Sequence, residues 1–267
     1  MIKSVHLTNY YHKNSGGIST SYNNLLAAAA RHKRKIRLIV PGETETVEEV
    51  NDYAKIYYVP AKFSPVFDKR YRIILPWQYM PDDTLIRKIL ISEMPDMIEV
   101  TDKYTLSMLG AMVRIGKFKQ LNRPMLVHFS CERMDDNIAS FMTKGSFGKW
   151  LARNIIAKYT LPTFDFHIAN SPYTAEEFYK AVEETGDSKL KNWTWKRFDA
   201  PKVNLEDRVF VCPRGVNVET FSPGRKSETV KREMRSRSSI PENSKVLLYA
   251  GRISPEKNIP LLVDFMK

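Results

Sequence analysis

The chain has 267 residues, of which 43% are hydrophobic and 11% aromatic, so it can bury the core of one large domain and part of a second. Its 42 basic and 30 acidic side chains give a formal net charge of +12, which favours anionic partners such as phosphorylated ligands or anionic lipid headgroups. The basic clusters at 31–37 and 231–239 lack interleaved aromatic residues, which disfavours nucleic acid as a partner. The alternative for both clusters is a solvated helix end or connection.

Cysteine usage and the N-terminal residues indicate the compartment. Cys131 and Cys212 form no C-x-x-C pair, and we interpret them as reduced thiols. The first residues lack the apolar segment of a signal peptide, and no run approaches 18 apolar residues. We therefore expect a cytoplasmic protein, with peripheral contact at the inner membrane face as a further candidate.

Short apolar segments rich in β-branched residues alternate with amphipathic segments of helix length. The predicted strands are 3–9, 36–40, 55–59, 97–100, 125–129, 166–170 and 208–211. The predicted helices are 18–32, 82–93, 104–116, 146–160 and 173–184. Such alternation predicts an α/β fold with a doubly wound, Rossmann-like parallel sheet.

Two polar regions interrupt this alternation. Residues 184–207 are predicted to form a long surface excursion, and residues 221–245 an interdomain connection that contains a charged helix. The apolar pattern restarts with a strand at 246–251 and the beginning of another helix. We therefore predict a first domain over 1–220, the connection over 221–245, and the first strand and helix start of a second αβ domain over 246–267.

Gly16 and Gly17 lie between the first predicted strand and the first predicted helix. The N-terminus of a helix favours anions, and glycine lets a phosphate or a sugar approach the backbone closely. The spacing matches neither G-x-G-x-x-G nor a P-loop, which disfavours a nicotinamide oxidoreductase. A plain tight turn is the alternative.

Further motifs follow other predicted strands. His128 lies at the carboxyl end of one strand, where parallel αβ sheets bind ligands. Ser171 and Pro172 form a helix-start signature after the next strand. The segments "VCPRGVNVETFSP" (211–223) and "YAGRISPEKN" (249–258) complete the series.

In this order, the motifs resemble those of the family 4 (group 1) retaining glycosyltransferases of the GT-B fold. That family carries a Gly-Gly loop after the first strand, a His that ends a mid-domain strand, and a helix that starts with Ser. P-x-G-V-D-x-x-x-F-x-P and G-R-x-x-x-x-K segments follow. The resemblance extends from about residue 5 to the last residue, and it implies an N-terminal, acceptor-side domain of a two-domain enzyme, with the second Rossmann-like domain largely missing.

The resemblance also implies the chemistry and the site. A sugar would pass, with retention of configuration, from a UDP- or GDP-linked donor to a sugar or lipid-linked acceptor, without a metal or another cofactor. Gly16 and Gly17 would approach the donor phosphate or the acceptor headgroup, and His128 would face the transferred sugar. Gly251, Arg252 and Lys257 would bind the donor pyrophosphate, where cations stabilise the departing diphosphate. The alternatives are a core histidine at 128 and ordinary surface cations at 252 and 257.

Glu132, Asp102 and Ser171 are candidate acceptor contacts. The alternative for Glu132, as for the neighbouring Asp135 and Asp136, is to cap the segment that follows. Asp102 has the same alternative, as the N-cap of the helix predicted to begin at 104.

The chain departs from the family pattern at several positions. Arg214 stands where many members carry Asn, and Asn217 where many carry Asp; the P-R-G-V form is similar to that of mannosyl- and sulfoquinovosyl-transferases that act on lipids and glycolipids. The E-x(7)-E element that holds the donor would lie beyond Lys267. We therefore expect the chain by itself to be inactive, and its C-terminal segment to be able to self-associate. The alternative function is a non-catalytic domain that binds an acceptor glycan or an anionic lipid.

Overall fold

Strands and helices alternate through most of the chain, as the sequence predicts. The structure is a computed structural model, and it describes residues 1–12, 16–64, 71–142, 145–251, 253 and 258–265. The chain divides into two units, Met1–Arg214 and Gly215–Lys267. The first unit thus ends at Arg214, whereas the sequence predicts a boundary at 220. The assignment of 246–267 to a second domain stays a prediction.

A single large sheet organises the first unit. The strands are β1 (Lys3–Leu7), β2 (Lys35–Gly42), β3 (Thr46–Asn51), β4 (Ala54–Pro60), β5 (Lys62–Phe63), β6 (Arg72–Ile73), β7 (Met97–Val100), β8 (Met125–Ser130), β9 (Phe166–Ala169) and β10 (Val209–Val211). Eight of them form one sheet in the order β10-β9-β8-β7-β1-β2-β4-β3, while β5 and β6 pair separately. Only β3 runs antiparallel to its neighbour in the eight-stranded sheet. The sheet grows in both directions from β1, which confirms the predicted Rossmann-like, doubly wound fold.

Helices connect and cover the strands. They are α1 (Gly17–Arg31), α2 (Leu85–Glu93), α3 (Leu106–Arg114), α4 (Met134–Phe141), α5 (Ser146–Ile155), α6 (Leu161–Thr163), α7 (Pro172–Thr185), α8 (Lys189–Arg197), α9 (Glu228–Arg237) and α10 (Ile259–Asp264). A π-helical turn, Ile156–Thr160, joins α5 to α6. Each helix predicted in the first unit is present, although α4 and α8 have no counterpart among the predicted elements.

Most of residues 184–207 are exposed, as predicted for a surface excursion, but the segment contains a helix, α8, that the sequence did not indicate. Trp195 on the inner face of α8 donates a hydrogen bond from Nε1 to the carbonyl of Ala157, at 2.8 Å. Thr194 is buried beside it. Most residues of α8 are exposed, so the polar composition of the segment resembled that of a loop.

The second unit contains the charged helix predicted within 221–245, which is α9. The strand predicted over 246–251 is absent: residues 245–250 have no regular secondary structure. The side chains of Val246, Leu247, Leu248 and Tyr249 are exposed. A strand needs a neighbour to bond its backbone groups, and no described residue of this unit forms one.

Candidate functional site

The carboxyl ends of the parallel strands define one edge of the sheet, and the residues that follow them meet there. Hydrogen bonds tie the segments after β1, β7 and β8 together at this carboxyl edge. Asn9 donates to Asp102 (3.1 Å), Tyr10 donates to the Glu132 carboxylate (2.8 Å), and Lys103 donates to the Glu132 carbonyl (2.6 Å). Ligands of open αβ sheets bind at this edge. We therefore take it as the candidate site.

Gly16 and Gly17 begin α1 beside this edge. Gly16 precedes the helix with φ −74°, and no side chain caps the helix. A Cβ atom at either glycine would meet no described atom within 4 Å, so packing within the described chain does not require glycine at either position. This open space is compatible with the predicted approach of a ligand, and that role stays a prediction.

Asp102 serves the backbone of its own segment. Its carboxylate accepts hydrogen bonds from the backbone N–H groups of Tyr104 (2.8 Å), Thr105 (2.9 Å) and Leu106 (2.8 Å), and its side chain is buried. This geometry supports the capping alternative, because the carboxylate satisfies donors at the start of α3. A contact between Asp102 and an acceptor stays a prediction.

Glu132 is half-buried, and among the described residues its carboxylate has one side-chain hydrogen-bond partner, the hydroxyl of Tyr10. Burial raises the pKa of Tyr10 well above its usual value, and the nearby Glu132 carboxylate raises it further. The phenol therefore remains a proton donor that orients this carboxylate. Asp102 and Ser171 use their side chains to bond the backbone at the start of a helix. Of the three predicted acceptor contacts, only the side chain of Glu132 does not.

A buried ion pair supports the segment that carries Glu132. The ammonium of Lys103 lies 2.5 Å from the carboxylate of Glu177 on α7, and the two side chains are 2% and 0% exposed. The other Glu177 oxygen accepts the backbone N–H of Asp135 at 2.7 Å. Because Lys103 also bonds the Glu132 carbonyl, this pair fixes the turn between β8 and α4.

Asp135 and Asp136 lie in the first turn of α4, where negative charge is favourable. Asp135 is bonded by Arg133 at 2.7 Å and by Arg153 at 2.8 Å. Burial acts to raise the pKa of Asp135, but these guanidinium groups outweigh it and hold the pKa well below its usual range. The Asp135 carboxylate is therefore engaged in ion pairs. Within the described chain, the N-cap position of α4 makes no side-chain capping hydrogen bond, so the capping role of Asp135 and Asp136 stays a prediction.

Ser171 caps α7. Its Oγ accepts a hydrogen bond from the backbone N–H of Thr174 at 3.2 Å, and Pro172 occupies the first helical turn. The helix-start prediction from Ser171 and Pro172 is confirmed. A contact between Ser171 and an acceptor stays a prediction.

His128 lies within β8 and not at its end, because the strand continues to Ser130. The imidazole is fully buried against Phe164, Phe178 and His167, with ring centroids 5.2, 5.9 and 5.7 Å away. Among the described residues, neither ring nitrogen of His128 has a hydrogen-bond partner. This placement supports the core-histidine alternative, and contact with a transferred sugar stays a prediction.

A cluster beneath α1 was not found from the sequence. Glu99 of β7 accepts a hydrogen bond from the hydroxyl of Tyr22 at 2.9 Å and lies 3.0 Å from Nδ1 of His6. The guanidinium of Arg214 lies over the rings of Phe129 (4.0 Å) and Tyr22 (4.9 Å). Arg214 therefore packs on the same face of the sheet as α1, at the end of the first unit.

The residues predicted to bind the donor pyrophosphate, Gly251, Arg252 and Lys257, belong to the second unit. Gly251 is exposed there, whereas Arg252 and Lys257 lie outside the described residues. Within the described ranges, no group of three or more His, Cys, Asp and Glu side chains is arranged to hold a metal ion. None of the helices in those ranges combines the length and the apolar composition that crossing a bilayer requires.

No protein-family model matches the chain. Over 263 residues the chain is 27% identical to the GDP-mannose-dependent alpha-(1-6)-phosphatidylinositol dimannoside mannosyltransferase of Mycobacterium tuberculosis. This match covers 98% of the chain and 58% of the mannosyltransferase, so the chain spans little more than half the length of that relative.

Two solved structures have a similar fold. Sucrose-phosphate synthase from Thermosynechococcus elongatus matches 99% of the chain with a TM-score of 0.58 and 17% identity, over 59% of its own length. HepE from Anabaena, solved in complex with UDP-glucose, matches 100% of the chain with a TM-score of 0.58 and 12% identity, over 57% of its own length.

The fold and these likenesses define the class: the first unit is a Rossmann-like domain of the kind found in GT-B glycosyltransferases. The resemblance to the group 1 glycosyltransferases that the motifs indicate is thereby confirmed. Within that class, the chain is similar over nearly its whole length to a mannosyltransferase named for a phosphatidylinositol glycolipid.

Proposed function

We propose that this chain is the acceptor-side part of a retaining glycosyltransferase that moves a sugar from a nucleotide-sugar donor to a lipid-linked acceptor. The observation that carries the proposal is the match to the mannosyltransferase over 98% of the chain. In the transfer, the bond between the sugar and the donor phosphate breaks, a bond to an acceptor hydroxyl forms, and a nucleoside diphosphate leaves.

The donor would be bound mainly by the second unit and the domain that it begins. Arg252 and Lys257 would offset the charge that develops on the leaving diphosphate, without a metal ion. The related mannosyltransferase is named as GDP-mannose-dependent, and HepE was solved in complex with UDP-glucose. We favour GDP-mannose, since the mannosyltransferase covers the chain at the higher identity.

The acceptor would bind at the carboxyl edge. Glu132 would accept a hydrogen bond from an acceptor hydroxyl, because its carboxylate is half-buried and oriented by Tyr10. The open space before Gly16 and Gly17 would receive the polar headgroup at the N-terminus of α1. A glycolipid acceptor agrees with the P-R-G-V form at Arg214 and with the name of the mannosyltransferase.

The test is a transfer assay on a two-domain protein that contains this chain, with GDP-mannose labelled in the sugar and a phosphatidylinositol glycolipid as acceptor. We expect label in the lipid extract, and Lys257→Ala should reduce the rate on the order of 100-fold by removing a cation from the leaving group. Lys245→Ala, a change at an exposed lysine of the same unit, is the matched control and should leave the rate unchanged. Full activity of Lys257→Ala would refute the assigned role.

The 267-residue chain should show no transfer in the same assay. The alternative function, a non-catalytic domain that binds an anionic lipid or a glycan, is favoured by the net charge of +12. It predicts salt-sensitive binding with no turnover in the two-domain protein either. Label in the lipid extract would exclude it.

A further inference from the structure

Two neighbouring helices of the first unit present exposed aromatic and apolar side chains. On α8, Trp193 is 62% exposed and Leu190 is 56% exposed. On α5, the exposed rings of Phe147 and Trp150 stack on one another with centroids 5.7 Å apart. About half or more of each of these four side chains is therefore exposed.

Helical spacing places the four side chains near one groove. Leu190 and Asn154 line the same groove, which has a volume of about 320 Å³ between α5, the π-helical turn and α8. Asn154 lies one turn after Trp150 and donates to its carbonyl at 2.9 Å. Trp193 lies one turn after Leu190 on α8.

The charged residues within these two helices and the turn after α5 are all basic. Residues 146–163 and 189–197 contain no Asp or Glu. Their basic side chains are Lys149, Arg153, Lys158, Lys189, Lys191, Lys196 and Arg197. Lys189, Lys196 and Arg197 are exposed on α8. We call Phe147, Trp150, Leu190 and Trp193 with these three cations the basic–aromatic face.

Acidic side chains of neighbouring elements contact these helices, because Asp136 pairs with Lys149, Glu184 with Arg153, and Asp187 accepts a hydrogen bond from Asn192. Lys189, Lys196 and Arg197 remain exposed beside the aromatic and apolar side chains. Such a combination fits the boundary between the headgroups and acyl chains of an anionic bilayer. We propose that the basic–aromatic face docks the protein on an anionic lipid bilayer. Trp193 and Leu190 enter the headgroup region, and the cations bind lipid phosphates.

The face adjoins the candidate site. Lys149 on α5 lies 3.0 Å from the carboxylate of Asp136, in the first turn of α4 after the carboxyl edge. A bilayer docked on Phe147 and Trp150 would therefore lie beside the edge where a lipid-linked acceptor is proposed to bind. Docking itself is inferred from this surface alone, so it does not depend on the proposed transfer.

The test is co-sedimentation of the 267-residue chain with vesicles of phosphatidylglycerol and phosphatidylcholine in equal parts, and with vesicles of phosphatidylcholine alone. We expect binding to the anionic vesicles only, and its loss at about 1 M salt, where the Debye length falls to ~3 Å. The double variant Leu190→Ala/Trp193→Ala should weaken binding about tenfold. Lys196→Gln should weaken it about fivefold.

Trp77 provides the matched control, because it is 61% exposed and the charged residues that next follow it in the sequence are Asp82 and Asp83 rather than basic residues. Trp77→Ala should bind like the unchanged chain. Brominated lipids should quench the tryptophan fluorescence of the bound chain, and this quenching should be smaller in Trp193→Phe but unchanged in Trp77→Phe. Failure of the unchanged chain to bind anionic vesicles would overturn the proposal, as would equal losses in Trp77→Ala and the double variant. If the chain did not bind vesicles but self-associated at high concentration, and Trp193→Ala abolished this association, the basic–aromatic face would instead bind a second copy of the chain.

Discussion

Lys103 is the residue on which the local arrangement of the carboxyl edge depends. It contacts Glu177 in α7 and the Glu132 carbonyl after β8, and its ammonium lies 5.3 Å from the centre of the Phe178 ring. Burial raises the pKa of Glu177, although Lys103 partly opposes this effect. A carboxylate in such surroundings is costly without its cation.

We predict that Lys103→Met lowers the free energy of unfolding by about 3–5 kcal/mol, because it leaves the Glu177 carboxylate buried and unpaired. Urea denaturation measures the loss. Lys55→Met is the matched control, because Lys55 pairs with Glu49 at 2.6 Å in a more exposed pair, and it should cost about 1 kcal/mol or less. Equal losses in the two variants would contradict the prediction.

His128 makes the stability of the first unit sensitive to pH. Burial lowers the pKa of His128 well below its usual value, and the neighbouring His167 and Lys103 lower it further. In the unfolded chain, histidine binds a proton near pH ~6.5. The unfolded state therefore binds more protons than the folded state below that pH, and stability falls as the pH decreases.

We predict that the free energy of unfolding decreases between about pH 7.5 and about pH 5.5, and that His128→Leu makes this decrease smaller. Urea denaturation at the two pH values measures it. His32→Leu is the control, because His32 is exposed at the end of α1 and should leave the decrease unchanged. A His128→Leu variant with the full decrease would contradict the assignment.

At the scale of elements, the helix-start pattern of α7 was readable because its parts are adjacent in sequence. Ser171 bonds Thr174 three residues later, and Pro172 needs no hydrogen bond at the first helical position. The helix α8 was not predicted, for the opposite reason. Its inner contact, from Trp195 to Ala157, joins residues far apart in the chain.

We predict that Ser171→Ala lowers the free energy of unfolding by about 1 kcal/mol, because it removes the cap of α7. Ser92→Ala makes the same chemical change inside α2, where the hydroxyl bonds the Ile89 carbonyl, and it should cost close to nothing. Thermal unfolding of both variants measures the difference. If Ser92→Ala lowered the free energy of unfolding as much as Ser171→Ala does, the loss in Ser171→Ala would not be due to the removed cap.

At the scale of the whole molecule, the hydrophobic core belongs to the first unit. Among the described residues, the three clusters of buried apolar side chains contain none beyond Val209. Arg208 is 1% exposed, and its guanidinium donates to the carbonyls of Leu161 (2.7 Å) and Phe164 (2.6 Å). Strand β10 therefore completes this core.

We predict that a chain ended at residue 220 unfolds cooperatively, with a midpoint within about 4 °C of the 267-residue chain. A chain ended at residue 205 is the control, and it should lose cooperative unfolding because it lacks Arg208 and β10. Circular dichroism during heating distinguishes the two. Loss of cooperative unfolding on truncation at 220 would show that the second unit contributes to the core.

The sequence by itself determined the alternation of strands and helices, the start of α7 and the resemblance to GT-B glycosyltransferases. Each of these depends on residues that are close in the chain or on motifs in a fixed order. Only the tertiary structure decided that His128 is buried, that Asp102 bonds the start of α3 and that Glu132 remains oriented by Tyr10. The physical reason is that burial and long-range hydrogen bonds depend on which strands become neighbours, and local patterns do not encode that pairing.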